Sequence, residues 1–105
     1  MNEPVASKAE VIARLQGARE RLASLGVKGL GLFGSFVTGQ HTPASDVDIL
    51  VEFVPDRHTF GSFMDLAFFL EELLGRRVEL VTLESLSPHI GPRILREVER
   101  VQVAA

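Results

Sequence analysis

Apolar residues recur at helical spacing in two long segments of the chain. The first segment spans residues 7–25 and opens with Ser7 and Glu10, which have the spacing of a helix-capping box. Its apolar positions follow steps of four and three: Val11, Leu15, Ala18, Leu22 and Leu25. The second segment spans residues 61–74 and stops at Gly75, a residue typical of helix C-termini. The pattern therefore predicts one helix in each segment.

Three other segments alternate between apolar and polar residues with the period of two that strands show. They span residues 27–33, 46–53 and 76–83. A short helix of one or two turns is predicted for the sequence FVTGQ, which follows the first strand. A final helix is predicted in the tail, beginning near Pro88 or Pro92, because proline is favoured in the first helical turn.

The order of these elements is helix, strand, short helix, strand, helix, strand, helix. Such an order favours an α/β (α+β) fold, in which a small mixed sheet of three to four strands is flanked by helices. The 105 residues are 46% hydrophobic and 24% charged, which suits one hydrophobic core but not two domains of ordinary size. We therefore expect a single domain over residues 1–105.

Composition excludes several classes of function. There is no apolar run of about 18 residues and no secretion signal at the N-terminus, so we expect a cytoplasmic protein without a membrane contact. Cysteine is absent, which excludes disulfides, thiolate zinc sites and cysteine nucleophiles. The net charge of -3 and the pI near 5.6 argue against a broad nucleic-acid surface, and no direct nucleic-acid binding is expected.

Two acidic residues, Asp46 and Asp48, open the second predicted strand. Because they are two residues apart, their carboxylates leave the same face of the strand, side by side. Like charges at this spacing repel, and a half-buried site tolerates them when a cation neutralises the pair or a proton binds. Magnesium prefers oxygen ligands and is usually held by one or two carboxylates together with substrate phosphates. The pair therefore predicts a magnesium site.

The pair Gly34 and Ser35 ends the first predicted strand and starts the short helix. Glycine permits a tight turn, and the start of a helix directs free N–H groups at an anion such as phosphate. Together with the two aspartates, this arrangement predicts a nucleoside triphosphate site. Glu79 would add a third carboxylate if its strand lies next to that of the aspartates, where it could orient or deprotonate an attacking hydroxyl or share the metal.

Each of these features alone has an ordinary explanation. Two acids at the end of a strand are more often solvated loop residues than metal ligands, and a Gly-Ser pair usually marks a turn. Their combination with an acid on a later strand favours the functional interpretation. Phe68 falls among the charged residues of the second long helix and is predicted to be exposed. An isolated exposed aromatic is the simpler explanation for it, and a partner interface is the alternative.

Gly34-Ser35, ten intervening residues and Asp46-Val47-Asp48 resemble the signature of the polymerase-beta-type nucleotidyltransferase superfamily. The run from SDVDILVEF through LEELLGRRVELVT to SPHIGPRILREV resembles more narrowly the minimal nucleotidyltransferases, bacterial proteins often paired with a HEPN-domain toxin. The similarity covers the chain from about Leu25 to Val98. It implies the nucleotidyltransferase fold of that superfamily.

The resemblance also implies an activity. Such proteins transfer AMP from ATP and release pyrophosphate, with magnesium as cofactor. Those paired with a HEPN toxin act as antitoxins that adenylylate a hydroxyl, reported as tyrosine, on this partner, with which a hetero-oligomer is expected. By the resemblance, Gly34 and Ser35 would hold the triphosphate and Asp46 and Asp48 would bind metal. Glu79 would take the place of a third aspartate that many relatives have.

Two departures from the family pattern bear on activity. Glu79 is one methylene longer than aspartate, and displacements of about 1 Å can lower a rate on the order of 100-fold. Thr38 stands where relatives often have arginine, so Arg76, Arg77 or a residue of the partner would have to supply the positive charge. The sequence contains no tyrosine, so a tyrosyl acceptor must belong to another molecule.

Two alternatives to this enzyme remain open. A non-catalytic antitoxin would have the same fold and would neutralise its partner by binding alone. A small-molecule adenylyltransferase would act on an alcohol such as an aminoglycoside. The short chain has little room for an acceptor-binding domain, which argues against the small-molecule enzyme.

Overall fold

Four strands form one mixed sheet in the computed structural model, which describes residues 2–103. The strands are β1 Val27–Phe33, β2 Val47–Phe53, β3 Val78–Thr82 and β4 Glu99–Val101. Their order across the sheet is β3-β2-β1-β4. β1 runs antiparallel to both β2 and β4, whereas β2 and β3 are parallel. The predicted α/β class with a mixed sheet is confirmed.

Within the described residues, five helices accompany the sheet. They are α1 Lys8–Gly17, α2 Arg19–Ser24, α3 Ser35–Thr38, α4 Phe60–Leu74 and α5 Gly91–Glu97. Short 3-10 turns lie at Pro55–Arg57 and Leu83–Ser85. α4 begins one residue earlier than predicted because the hydroxyl of Thr59 accepts a hydrogen bond from the Ser62 N–H at 3.1 Å. Its predicted end at Gly75 is confirmed.

The prediction of one unbroken helix over residues 7–25 is wrong. The helix starts as expected, because the Ser7 hydroxyl accepts a hydrogen bond from the Glu10 N–H at 3.2 Å. It breaks at Ala18, whose φ of -104° and ψ of 15° leave the helical region, and resumes as α2. Gly17 lies directly before the break, and glycine in a helix interior is less favourable than alanine by about 1 kcal/mol.

Helices α1, α2 and α4 pack against one face of the sheet, whereas the site lies on the other face, close to α5. Along β2 the buried residues alternate with half-buried ones, which places Val47, Ile49 and Val51 on the core side. They pack into the same core as Leu66 and Leu70 of α4. The opposite face carries the alternate residues of β2 and of β3. Among the described residues, no helix combines the length and the hydrophobicity needed to cross a membrane.

The C-terminal part of the chain departs from its prediction. The final helix contains Pro92 in its first turn, as expected, but it ends at Glu97 instead of continuing through the tail. Val98 is extended, with φ of -63° and ψ of 134°, and the chain then forms β4 along the edge of β1. Val101 and Val103 are buried in the core, so this edge strand completes the sheet.

Phe68 of α4 is exposed as predicted. Its side chain is 63% exposed, and Phe60 near the start of the same helix is 80% exposed. Both belong to α4, which packs on the helical side of the sheet and away from the face that carries the acidic residues. The explanation of an isolated exposed aromatic and that of an interface both stay predictions.

Candidate active site

The acidic residues of β2 and β3 come together on the open face of the sheet. β2 starts one residue after Asp46, and in its register with the parallel strand β3 Asp48 pairs with Glu79. Paired residues of neighbouring strands leave the same face of a sheet. Val78 and Leu80 pack against the core, so Glu79 between them points to the opposite face, as Asp48 does.

The charge of Asp48 is strongly affected by this arrangement. Burial and the nearby carboxylates of Glu79, Asp46 and Glu97 raise the pKa of Asp48 from 3.8 to about 6. Both causes oppose ionisation, because a carboxylate is less well solvated when half-buried and is repelled by neighbouring negative charge. The site as it stands has an excess of negative charge that a bound cation would relieve.

The turn at Gly34 lies directly against Asp48. Gly34 has φ of 76° and ψ of -153°, a backbone conformation that is essentially restricted to glycine. A Cβ atom at this position would overlap the carboxylate of Asp48. The carbonyl oxygen of Gly34 accepts hydrogen bonds from the N–H groups of Val37 and Thr38 and so begins α3. Gly34 therefore lies beside Asp48, and Ser35 follows it as the first residue of α3.

Buried stacking contacts anchor α3 in this position. Phe36, the second residue of α3, is 2% exposed. The ring of His41 stacks on Phe36 at a centroid distance of 4.2 Å, and the guanidinium of Arg76 lies 5.1 Å from the same ring centroid. His41 also contacts the carbonyl oxygen of Ala6 through Nε2 at 2.9 Å. These contacts hold α3 and the Gly-Ser turn in place. They account for the positions of His41 and Arg76 without a catalytic role for either side chain.

Glu97 is a member of the site that sequence reasoning missed. It is the last residue of α5, and its Oε1 atom accepts a hydrogen bond from the Gly34 N–H at 2.6 Å. Its charge is one of those that raise the pKa of Asp48. The final predicted helix contains two acids, and no local pattern distinguishes Glu97 from Glu99.

Arg76 does not replace the arginine that relatives often have at the position of Thr38. Its guanidinium donates hydrogen bonds to four backbone carbonyl oxygens, those of Val5, Thr42, Pro43 and Ser45. The hypothesis that it contacts phosphate is therefore not supported by its geometry. Arg77 is exposed, and its side chain makes no hydrogen bond or ion pair within residues 2–103. Within this chain, Arg77 remains the candidate for the positive charge near the phosphates that Thr38 does not supply.

The carboxylates fit a magnesium ion that is completed by substrate. Between residues 2 and 103, no group of three or more histidine or acidic side chains forms a ready metal site. The ion pairs recorded in that range also leave Asp46, Asp48 and Glu79 without a cationic partner. Magnesium commonly uses one or two carboxylates together with phosphate oxygens and water. Asp46 and Asp48 supply the hard oxygen donors that this mode of binding requires.

The open face of the sheet continues from the carboxylates into a shallow apolar pocket of about 100 Å³. Leu50, two residues after Asp48 on β2, lines it together with Gly29 and Gly31 of β1. Leu83 and Leu95 also line the pocket and are 44% and 50% exposed. The sheet face that carries the carboxylates is therefore partly open to solvent at this pocket.

The mixed sheet, with Asp48 beside the Gly34 turn, agrees with the arrangement that the resemblance to nucleotidyltransferases implies. The nucleotidyltransferase domain family matches residues 15–101, and the chain belongs to this family of enzymes. Over 80 residues the chain is 46% identical to protein adenylyltransferase MntA of Thermococcus cleftensis, a match that covers 76% of this chain and 77% of that relative.

Comparison with solved structures identifies a narrower group within the nucleotidyltransferase family. A structure described as a minimal nucleotidyltransferase is 32% identical, with a TM-score of 0.77, and the match covers 90% of this chain and 95% of that chain. A toxin–antitoxin complex solved with AMP-PNP is 25% identical, with a TM-score of 0.63, over 79% of this chain and 71% of that chain. The resemblance to minimal nucleotidyltransferases is confirmed.

Proposed function

We propose that this chain is a magnesium-dependent protein adenylyltransferase. It transfers AMP from ATP to a hydroxyl, expected to be that of a tyrosine, on a partner toxin of the HEPN class, and it acts as the antitoxin. The observation that carries the proposal is the in-register pairing of Asp48 with Glu79 beside the Gly34 turn. Similarity to a protein adenylyltransferase and to a toxin–antitoxin complex solved with AMP-PNP supports the donor and the type of partner.

The residues have separate tasks in this reaction. The acceptor oxygen forms a bond to the α-phosphorus of ATP as the bond from that phosphorus to the bridging oxygen breaks, and pyrophosphate leaves. Glu79 accepts the hydroxyl proton, and Gly34 and Ser35 hold the triphosphate, with Gly34 shaping the turn because its N–H is donated to Glu97. Magnesium held by Asp46 and Asp48, with Glu79 as a third candidate ligand, would neutralise charge on the phosphate oxygens.

The position of the label in ATP tests the reaction. With a toxin of the HEPN class as acceptor, label from α-labelled ATP should enter the toxin and label from γ-labelled ATP should not. Replacement of Asp46 and Asp48 by asparagine should abolish incorporation, because the metal-binding oxygens are lost. Incorporation that survives this double substitution would disprove the mechanism.

The non-catalytic antitoxin is favoured by one observation. Arg76 is committed to backbone carbonyl groups, so the site has one cation fewer than the resemblance suggested. If the chain is a non-catalytic antitoxin, the double variant Asp46→Asn and Asp48→Asn would still neutralise the toxin. It would do so only at a ratio of one chain per toxin or higher. The enzyme should neutralise an excess of toxin and should lose this ability in the double variant.

A further inference from the structure

The last residue of α5 is tied to the turn between β1 and α3. Gly34 donates its N–H to Oε1 of Glu97 at 2.6 Å, a contact that spans 63 residues of sequence. A hydrogen bond to an ionised carboxylate is shorter and stronger than one between neutral groups. The bond is part-buried, which protects it from competition with water. It joins the C-terminal part of the chain to the site.

The peptide group that Glu97 holds is the one against which Asp48 packs. A Cβ atom on Gly34 would overlap the Asp48 carboxylate, so this carboxylate packs directly against the Cα of Gly34. Gly34 also opens α3 through its carbonyl oxygen and is followed directly by Ser35. A shift of this peptide would therefore move the Gly-Ser turn and would free the Asp48 carboxylate at the same time.

Glu97 is itself held in place by the elements around it. The side chain of the neighbouring Val98 packs on Gly31 of β1. A Cβ atom on Gly31 would lie only 2.5 Å from Cγ2 of Val98. After it, β4 pairs with β1, with Leu32 opposite Glu99. The ion pair between the Lys8 ammonium and Oε1 of Glu99, at 3.0 Å, involves side chains that are 40% and 42% exposed, so it adds little to this support. The Glu97 carboxylate thus approaches Gly34 from a fixed support.

We propose that Glu97 is a positioning residue for adenylyl transfer. Its carboxylate holds the Gly34 peptide, and through it the spacing between the Gly-Ser turn and Asp48. The inference rests on the proposed function, because the spacing matters for a triphosphate held by the turn and a metal held by the aspartate. Glu97 does not itself touch substrate in this account.

Two substitutions of Glu97 separate the hydrogen bond from the charge. Glu97→Gln keeps an oxygen that can accept from Gly34 but removes the charge, whereas Glu97→Ala removes both. We expect kcat to fall about 10-fold to 100-fold in the alanine variant, the effect of a displacement near 1 Å, and to stay within about 3-fold in the glutamine variant. Glu99→Gln is the matched control, because it removes an equal charge two residues away, and it should leave kcat unchanged.

Amide hydrogen exchange gives a readout that does not depend on activity. Exchange at the Gly34 amide should be about 10-fold faster in Glu97→Ala than in the wild type, with a much smaller change in Glu97→Gln and none in Glu99→Gln. Thermal denaturation of each variant separates this local change from a loss of the fold, and the glutamine variant keeps the comparison available if the alanine variant is unstable.

The outcomes distinguish this inference from the proposed function. Equal losses of kcat in the glutamine and alanine variants would mean that charge matters instead of the hydrogen bond, and would overturn the positioning role. Unchanged Gly34 exchange in Glu97→Ala would overturn it as well. A wild-type chain that transfers no AMP would refute the proposed function and with it the catalytic consequence, while the exchange result would still decide whether Glu97 holds the turn.

Discussion

Asp48 is the acidic residue of the site that is most affected by the neighbouring negative charges. Burial and the carboxylates of Glu79, Asp46 and Glu97 raise its pKa to about 6. The folded chain therefore binds a proton at Asp48 more tightly than the unfolded chain does. Where the folded state binds more protons, the free energy of unfolding falls as pH rises, here between about pH 4 and about pH 6. At neutral pH the ionised carboxylate destabilises the metal-free fold.

Asp48→Asn is accordingly expected to stabilise the metal-free protein while abolishing AMP transfer. At neutral pH the free energy of unfolding should rise by about 1 kcal/mol, a value discounted for solvent screening because the carboxyl is only half-buried. Urea denaturation in EDTA measures the change, and the gain should shrink strongly at about pH 4, where the folded wild type holds the proton. Asp65→Asn, on the exposed side of α4, should show neither effect. A gain of equal size at both pH values would contradict the assignment.

The side on which the predicted acids lie follows from sequence. Strand alternation has a period of two, so Asp46, Asp48 and Glu79 are assigned to a face even when the strand ends are misplaced by a residue or two. Glu97 has no such signal, because its partner Gly34 is 63 residues away and the surrounding sequence ILREVER contains a second acid, Glu99, that looks equivalent. Its place in the site depends on how the tail folds back.

At the scale of elements, the loop that leads into Asp46 is held by the side chain of Arg76, which lies two residues before β3. Arg76 donates hydrogen bonds to the carbonyl oxygens of Thr42, Pro43 and Ser45. An arginine presents several donors in a fixed plane, whereas a lysine ammonium is a compact point charge. The path of this loop, and with it the start of β2, therefore depends on the guanidinium group.

Arg76→Lys is expected to lower the free energy of unfolding by about 2 kcal/mol, because a single ammonium cannot serve all of the carbonyl groups that the guanidinium contacts. Arg77→Lys at the neighbouring exposed position is the matched control and should change it by less than about 0.5 kcal/mol. Urea denaturation of both variants measures the difference. Equal stability of the two variants would show that the carbonyl contacts of Arg76 do not hold the loop.

β4 shows where element prediction fails. Ile94, Val98 and Val101 follow helical steps of four and three, so the local pattern favours a helix through the tail. The tail instead becomes a strand after Glu97, because β1 offers an edge with unpaired backbone groups and the core accepts Val101. Strand propensity depends on such tertiary context more than helix propensity does. The break in the helix predicted over residues 7–25 has a local cause, Gly17. A single glycine is too weak a signal to predict such a break from the sequence.

At the scale of the whole molecule, the site is assembled from parts that are distant in sequence. The turn at Gly34, the start of β2, the strand β3 and the end of α5 meet at one side of the sheet. The order of elements along the chain predicts the fold class, since helices and strands alternate. It does not predict the strand order β3-β2-β1-β4, because that order is decided by which faces and edges pack together.

Because the site exists only in the folded chain, its ligands should stabilise the whole fold. A non-hydrolysable ATP analogue with magnesium, at about 100 times its dissociation constant, should add about 2.7 kcal/mol to the free energy of unfolding. For a chain of this length that gain corresponds to a rise in Tm of roughly 10 to 20 °C. Thermal denaturation with magnesium alone, analogue in EDTA, and both together measures the effect, which should be largest when both are present because each completes the site for the other. The double variant Asp46→Asn and Asp48→Asn should lose the cooperative part, and an equal shift in that variant would place the nucleotide elsewhere on the molecule.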